Sequence, residues 1–162
     1  MVDKAKEFAN TWIDNNKDWI IELSDRIWEL AELGLVEEKS SQLLAGTLER
    51  HGFKVEMGVA GMPTAFVAAW SDQKPVIGIM GEYDALPGIS QKTVPYKEPL
   101  KEGAPGHGCG HNIHGASGVA AAISLRYTLE ELKIPASMRF FGSPAEENYD
   151  GKVYMVRAGH FD

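Results

Sequence analysis

The chain has 162 residues, of which 44% are apolar and 24% are charged, and its formal net charge is −7. This composition is typical of a globular protein with its own core and excludes a largely disordered chain. The negative net charge argues against nucleic-acid binding and against attachment to an anionic membrane surface.

The first 52 residues predict two helices that serve core packing. Apolar residues recur near helical spacing from about residue 5 to residue 33, which predicts one or two amphipathic helices that end at Gly34. The segment SSQLLAGTLERHG predicts a further helix, which Ser40 or Ser41 would open and Gly52 would close. The N-terminal segment has scattered charges and no apolar leader, so no secretory signal is expected.

Strand patterns follow the helices. The segments FKVEMGV, TAFVAAW and VIGIMGEY predict three strands. A long Gly- and Pro-rich stretch then runs from about residue 84 to residue 111, and loops of this length are usually functional or disordered. The remaining segments predict a helix packed closely on a sheet, a buried strand and a short helix: IHGASGVAAAISLRYTLEELK, SMRFFGSP and GKVYMVRAG. The alternation predicts an α/β fold with a mixed sheet flanked by helices.

The loop GHGCGHNIHG, at residues 106–115, combines three histidines with the single cysteine of the chain. Thiolate and imidazole are ligands that suit zinc and neighbouring transition metals. We therefore predict Cys109 and His111 as metal ligands, and His107 and His114 as groups that support the ligands. Taken alone, a lone cysteine is more often an inert buried side chain. As the single cysteine of the chain, Cys109 cannot form an intrachain disulfide, which fits a reducing, cytoplasmic compartment.

Two acidic pairs also follow predicted strands. Glu146 and Glu147 come after the strand SMRFFGSP, and Glu82 and Asp84 end the strand VIGIMGEY. The carboxyl ends of strands are where α/β sheets bind ligands. One carboxylate of the first pair could bind metal while the other acts as a general base. Taken singly, each pair is also compatible with a solvated acidic loop.

The order MGEYDALPG, GHGCGHNIHG and SPAEEN resembles the M20 metallopeptidase and amidohydrolase family. The resemblance is strongest to the branch of aminobenzoyl-glutamate hydrolases, N-acyl-amino-acid amidohydrolases and related dipeptidases, and it covers essentially the whole chain. It implies a zinc-peptidase-like catalytic core, of the phosphorylase/hydrolase-like type. It also implies two divalent metal ions, zinc in the first place, with manganese, cobalt or nickel as alternatives.

The resemblance also implies roles for individual residues. Cys109, His111 and Glu147 match metal ligands, and Glu146 matches the general base that activates water. Asp84 matches an aspartate that orients a ligand. Glu82 stands where other branches carry a metal-binding histidine, so the resemblance does not transfer a role to it.

The family's other histidine ligands and its inserted domain have no counterpart in these 162 residues. We therefore expect residues 1–162 to be the N-terminal part of a metal-binding catalytic domain. The inserted dimerisation domain and the C-terminal half would lie outside it, so the core is expected to be incomplete. The full-length enzyme is expected to be a homodimer.

The predicted reaction is hydrolysis of an amide bond in a small molecule, by water activated at the metals. The candidate substrates are aminobenzoyl-glutamate, an N-acyl or N-aroyl amino acid, or a small dipeptide. The alternative is an inactive binding or structural module with the same core fold, because only three metal ligands are identified with confidence. Neither nucleic acid nor membrane is expected as a partner.

Overall fold

The computed structural model describes residues 2–162, which form a four-stranded mixed sheet flanked by helices. The fold class predicted from the sequence is confirmed. The helices are α1 (Val2–Leu30), α2 (Glu38–Arg50), α3 (His111–Glu131), α4 (Glu146–Tyr149) and α5 (Gly151–Arg157). The strands are β1 (Lys54–Met57), β2 (Phe66–Trp70), β3 (Val76–Glu82) and β4 (Ser137–Ser143), and a short 3-10 turn spans Val59–Gly61.

The strands lie in the order β1-β2-β4-β3. The pairs β1–β2 and β2–β4 are antiparallel, whereas β3 and β4 run parallel, with Glu82 opposite Ser143. Because parallel strands end at the same edge of a sheet, the segments that follow β3 and β4 emerge side by side. The two acidic motifs of the sequence are therefore brought to one edge.

Side chains alternate across the sheet and build two apolar clusters. Phe140 belongs to the larger cluster, to which α1, α2 and α3 contribute, while its neighbour Phe141 belongs to a smaller cluster with Met155 of α5. This alternation follows from the two-residue period of a strand. The core therefore occupies both faces of the sheet, and the segments at the ends of β3 and β4 are held from both sides.

The predicted helix boundaries at residues 34 and 40 are wrong. The first helix ends at Leu30, where Ala31 takes a positive φ of 42°. Gly34 instead packs so closely on the chain that an added Cβ would lie 2.9 Å from the Cα of Ala145. Helix α2 already begins at Glu38, so Ser40 lies inside it and does not cap it; the Ser40 hydroxyl donates to a carboxylate oxygen of Glu32, 2.7 Å away.

The long stretch predicted to be irregular, from about residue 84 to residue 111, contains no helix and no strand of more than a single bridge. Within residues 2–162, none of the helices is both long enough and apolar enough to cross a membrane.

Candidate metal centre

The candidate centre lies at the edge where β3 and β4 end. Glu82 is the last residue of β3, and Glu146 opens α4 three residues after β4 ends at Ser143. The parallel register of the two strands makes their ends neighbours. Two acidic motifs that lie more than sixty residues apart in the chain therefore share one site.

Helix α3 brings the histidines to the same edge. His111 is its first residue, and Gly110 before it adopts a left-handed conformation with φ of 86°. Gly115, one turn further on, lies so close to β3 that an added Cβ would be 2.8 Å from the carbonyl oxygen of Glu82. The glycines of this motif thus let the helix start directly against the end of the strand.

A first group of donors joins three residues that the sequence predicts as metal ligands. Ligand atoms of Cys109, His111 and Glu147 all lie within 4.8 Å of one another. The Oε1 atom of Glu147 is buried and has no hydrogen-bond partner in residues 2–162. Buried polar atoms are nearly always paired, and a cation would satisfy this one. One thiolate, one imidazole and one carboxylate fit a zinc-like divalent ion.

A second group shares the imidazole of the first. Ligand atoms of Glu82, His111 and Glu146 also lie within 4.8 Å of one another. The Nε2 atom of His111 is 3.4 Å from Glu82 Oε2 and 3.7 Å from Glu146 Oε2. Both groups therefore depend on the same imidazole. The described residues therefore offer one three-residue site and an overlapping pair of carboxylates.

Asp84 fixes the orientation of the shared imidazole. Its Oδ1 lies 2.8 Å from His111 Nδ1, and its Oδ2 accepts a hydrogen bond of 3.0 Å from the backbone N–H of Glu147. Because Nδ1 is engaged by Asp84, Nε2 is the nitrogen that faces the carboxylates of Glu82 and Glu146. Burial acts to raise the pKa of Asp84, but the bonds to His111 and Glu147 lower it overall. The same bond raises the pKa of His111 against the opposing effect of burial.

Cys109 is exposed, and its Sγ atom lies close to the carboxylate of Glu147. The carboxylate of Glu147 raises the pKa of Cys109 the most, and burial and the charges of Glu146 and Glu82 raise it further. Without a cation, the surrounding negative charges therefore favour the neutral thiol. A bound cation would reverse this preference, because the thiolate is the form that ligates metal.

Glu37 holds the turn that precedes Glu146 and Glu147, and this residue was not identified from the sequence. It is fully buried, and its two carboxylate oxygens accept hydrogen bonds from the Ala145 N–H, at 2.7 Å, and from Thr64 Oγ1, at 2.9 Å. Ala145 has a φ of 55°, a strained conformation for a residue with a Cβ. Burial raises the pKa of Glu37. The sequence gives no sign of this role, because 108 residues separate Glu37 from Ala145.

Lys152 is a second residue that the sequence reasoning missed. Its ammonium nitrogen lies 2.6 Å from Glu82 Oε1 and 3.6 Å from Glu146 Oε1. Partial burial acts to lower the pKa of Lys152, but the bond to Glu82 and the nearby carboxylates raise it overall. The only signal in the sequence was its position six residues after Glu146 on a predicted helix.

The two outer histidines of the motif take different places. His114 Nδ1 lies 3.1 Å from Glu82 Oε2, so it borders the centre. His107 Nε2 lies 3.1 Å from the carbonyl oxygen of Ile27, and His107 belongs to neither donor group. The structure thus brings Cys109, His111, Glu146, Glu147, Glu82 and Asp84 together and leaves His107 aside.

Comparison with known proteins gives the family context of this geometry. The sequence profile of the peptidase family M20/M25/M40 matches residues 78–162. Among curated proteins, a subunit of the p-aminobenzoyl-glutamate hydrolase of Escherichia coli K12 is 40% identical over 96% of this chain and 32% of its own length. The Xaa-Arg dipeptidase of Mus musculus is 32% identical over 99% of this chain and 36% of its own length. The chain thus spans about a third of the length of these relatives.

Solved structures share the fold at lower sequence identity. The YxeP protein of Bacillus subtilis is described as a dinuclear metal-binding peptidase of the M20 family. It aligns with a TM-score of 0.70 at 24% identity, over 97% of this chain and 41% of its own. An aminobenzoyl-glutamate utilization protein from Klebsiella pneumoniae aligns with a TM-score of 0.65 at 13% identity, over 94% of this chain and 43% of its own.

Proposed function

Because the chain belongs to the peptidase family M20/M25/M40, we propose that it carries the metal-binding part of an enzyme that hydrolyses an amide bond next to a carboxylate. Residues 1–162 would correspond to the N-terminal part of the catalytic domain. The observation that carries the proposal is the convergence of Cys109, His111 and Glu147 beside Glu146. Donors from separate turns have no packing reason to converge in this way.

The proposed ligands are Cys109, His111 and Glu147, with Asp84 holding the imidazole. When bound there, a divalent cation would polarise the scissile carbonyl and lower the pKa of a water molecule. Zinc is the first choice because thiolate and imidazole both suit it, and manganese, cobalt and nickel are alternatives. Two such ions are proposed for the whole enzyme. The described residues provide one complete group of three donors.

Glu146 is the proposed general base. Its side chain is only partly buried, and its Oε2 lies 3.7 Å from His111 Nε2, so it borders the donor group and can still reach solvent. A carboxylate in this position can take a proton from the attacking water and then deliver it to the departing amine. The side chain of Glu147 is 15% exposed, against 30% for Glu146, which leaves the proton transfers to Glu146.

The proposed substrate is aminobenzoyl-glutamate or a related N-acyl or N-aroyl amino acid, with small dipeptides as the second choice. Two relatives, named as a p-aminobenzoyl-glutamate hydrolase and an Xaa-Arg dipeptidase, support these two choices. The Escherichia coli relative is named as one subunit of its hydrolase, and we propose that the whole enzyme acts as a homodimer in the cytoplasm.

The experiment that tests the function is the substitution Glu146→Gln in the whole enzyme. Hydrolysis of p-aminobenzoyl-glutamate is followed by release of the aromatic amine, and metal content is measured on the same samples. Loss of a general base typically lowers turnover by about 10²–10⁴-fold. We expect such a fall with unchanged metal content at the Cys109 group. Glu49→Gln, an exposed substitution on α2, is the matched control and should leave both quantities unchanged.

Two outcomes would contradict the proposal. Near-normal turnover of Glu146→Gln would remove Glu146 from the proton transfers. Absence of hydrolysis in a wild-type enzyme that carries stoichiometric metal, on all three substrate classes, would favour a binding module over an enzyme.

A further inference from the structure

The connector between α1 and α2, residues 31–37, contacts the exits of both parallel strands of the sheet. The carbonyl oxygen of Glu32 accepts a hydrogen bond of 2.8 Å from the backbone N–H of Ala85, three residues after the end of β3. At the other end of the connector, a carboxylate oxygen of Glu37 accepts a hydrogen bond of 2.7 Å from the N–H of Ala145, two residues after the end of β4. The connector therefore ties together the two strand exits that lead into the centre.

Glu37 is the residue of the connector whose side chain reaches the turn after β4. It is fully buried, and its second carboxylate oxygen accepts a hydrogen bond of 2.9 Å from Thr64 Oγ1. Thr64 is fixed in turn, because its carbonyl oxygen accepts a hydrogen bond of 2.6 Å from the buried hydroxyl of Tyr83. A buried polar group that loses its partner costs free energy, so a network in which the partners hold one another favours a single arrangement.

Ala145 is held in a conformation that its own backbone disfavours. Its φ of 55° and ψ of 41° lie in the left-handed region, which is strained for a residue with a Cβ. Strain of this kind persists only where the surrounding structure holds it. Ala145 directly precedes Glu146 and Glu147, so its backbone angles set the direction in which both carboxylates leave the turn. Its hydrogen bond to Glu37 therefore acts on both side chains together.

We propose that Glu37 is a positioning residue of the enzyme, whose carboxylate holds Ala145 in the conformation that presents Glu147 as a metal ligand and Glu146 as the base. This inference rests on the proposed function, since it presupposes the metal centre. Glu37 acts from outside the centre, because it belongs to neither donor group. A substitution at Glu37 therefore changes metal affinity and turnover through the turn, whereas a residue that only stabilises the core would change neither.

The test compares two substitutions of similar size in the whole enzyme, Glu37→Leu and Glu37→Gln. Leucine fills the space and removes both oxygen acceptors. Glutamine keeps a carbonyl oxygen that can accept from the N–H of Ala145, and its amide can donate to Thr64 Oγ1. Thr128→Val is the matched control, because Thr128 is buried and its hydroxyl donates one hydrogen bond of 2.8 Å to the carbonyl oxygen of Ser124, within α3.

Three quantities are measured for each protein: the affinity of the metal-free form for Zn²⁺ by competition with a chelating indicator, kcat for p-aminobenzoyl-glutamate at saturating Zn²⁺, and stability by urea unfolding. For Glu37→Leu we expect the Zn²⁺ affinity to fall about 10–100-fold, as is typical when a group that orients a ligand is lost. Its kcat should fall at least about tenfold even at saturating Zn²⁺, because a misplaced base transfers protons poorly. Glu37→Gln should stay close to the wild type in affinity and kcat, and Thr128→Val should lose stability alone.

Wild-type Zn²⁺ affinity and kcat in a folded Glu37→Leu would overturn the positioning role. Equal losses in Thr128→Val would also overturn it, since general destabilisation would then explain them. If Glu37→Leu does not fold, Glu37→Asp takes its place: its carboxylate is one methylene further from Ala145, so the same losses are expected, and their absence would contradict the proposal. A wild-type enzyme that neither binds Zn²⁺ nor hydrolyses the substrate would instead contradict the proposed metal centre itself, so the two failures are distinguishable.

Discussion

Two histidines of this protein lie in opposite electrostatic surroundings. His111, at the candidate metal centre, is enclosed by carboxylates, and its hydrogen bond to Asp84 raises its pKa. His51, at the end of α2, is lowered in pKa by burial and by the charges of Arg126 and Arg50. The neighbours of a histidine, and not its residue type, therefore decide whether its surroundings favour a cation.

The surroundings of His51 are an aromatic cluster of Trp12, Trp19, His51 and Tyr127. The ring of Trp19 stacks on His51 at a centroid distance of 5.7 Å, and the Tyr127 hydroxyl lies 3.3 Å from His51 Nδ1. This cluster contains no carboxylate and joins α1, α2 and α3. We therefore assign it to stability and the centre of His111 to chemistry. Substitutions near His111 should therefore change metal affinity, and substitutions in the aromatic cluster should change stability.

The largest difference between the regions is expected for Asp84→Asn. Asparagine removes the negative charge that orients and polarises His111, and loss of such a supporting group typically weakens metal affinity about 10–100-fold. Competition with a chelating indicator measures the affinity. Asp14→Asn, on the exposed face of α1, is the control and should not change it. Equal affinities for both variants would show that Asp84 does not support the ligand.

A smaller effect, on stability, is expected for Trp19→Ala in the aromatic cluster. The substitution removes the stack on His51 and the edge contact with Trp12, whose centroid is 6.0 Å away. For a partly buried aromatic side chain the free energy of unfolding should fall by about 1–2 kcal/mol, less than for a fully buried one. Urea unfolding measures this, and Trp19→Phe should lose less. A parallel loss of metal affinity would mean that the two regions are coupled.

The smallest effect concerns the pH dependence of stability. Because the pKa of His51 is lower in the folded than in the unfolded protein, unfolding takes up a proton. This contribution to stability is complete above the ordinary histidine pKa of 6.5 and is lost as the pH falls through the folded value. His51→Gln should therefore flatten the acid side of the stability profile. A profile in which the wild type gains stability relative to His51→Gln on acidification would contradict the assignment.

The convergence of these residues could be predicted because they stand in short motifs at the ends of apolar strands. The hydrophobic pattern locates the ends of β3 and β4, and parallel pairing then forces Glu82 and Glu146 to the same edge. The glycines around Cys109 and His111 indicated a backbone that approaches closely. The positions were therefore predictable from local patterns, while the roles of these residues as ligands and base stay predictions.

The supporting groups could not be predicted, because they act through tertiary contacts. In the sequence, Glu37 is one of several glutamates before a helix. Only the folded chain brings its carboxylate to the backbone N–H of Ala145. The same holds for Gly34. Its position in the sequence suggests a helix stop, whereas the folded chain packs it closely against Ala145. His51 carries no motif, so its aromatic surroundings are visible only once three helices are packed together.

The most direct test of the account is the zinc K-edge X-ray absorption spectrum of the metal-loaded full chain and its Cys109→Ser variant. The account predicts one sulfur neighbour at about 2.3 Å in the wild type, alongside nitrogen and oxygen ligands. That sulfur signal should be lost in Cys109→Ser. Identical spectra with only nitrogen and oxygen neighbours in both proteins would contradict the convergence of Cys109, His111 and Glu147 on a metal ion.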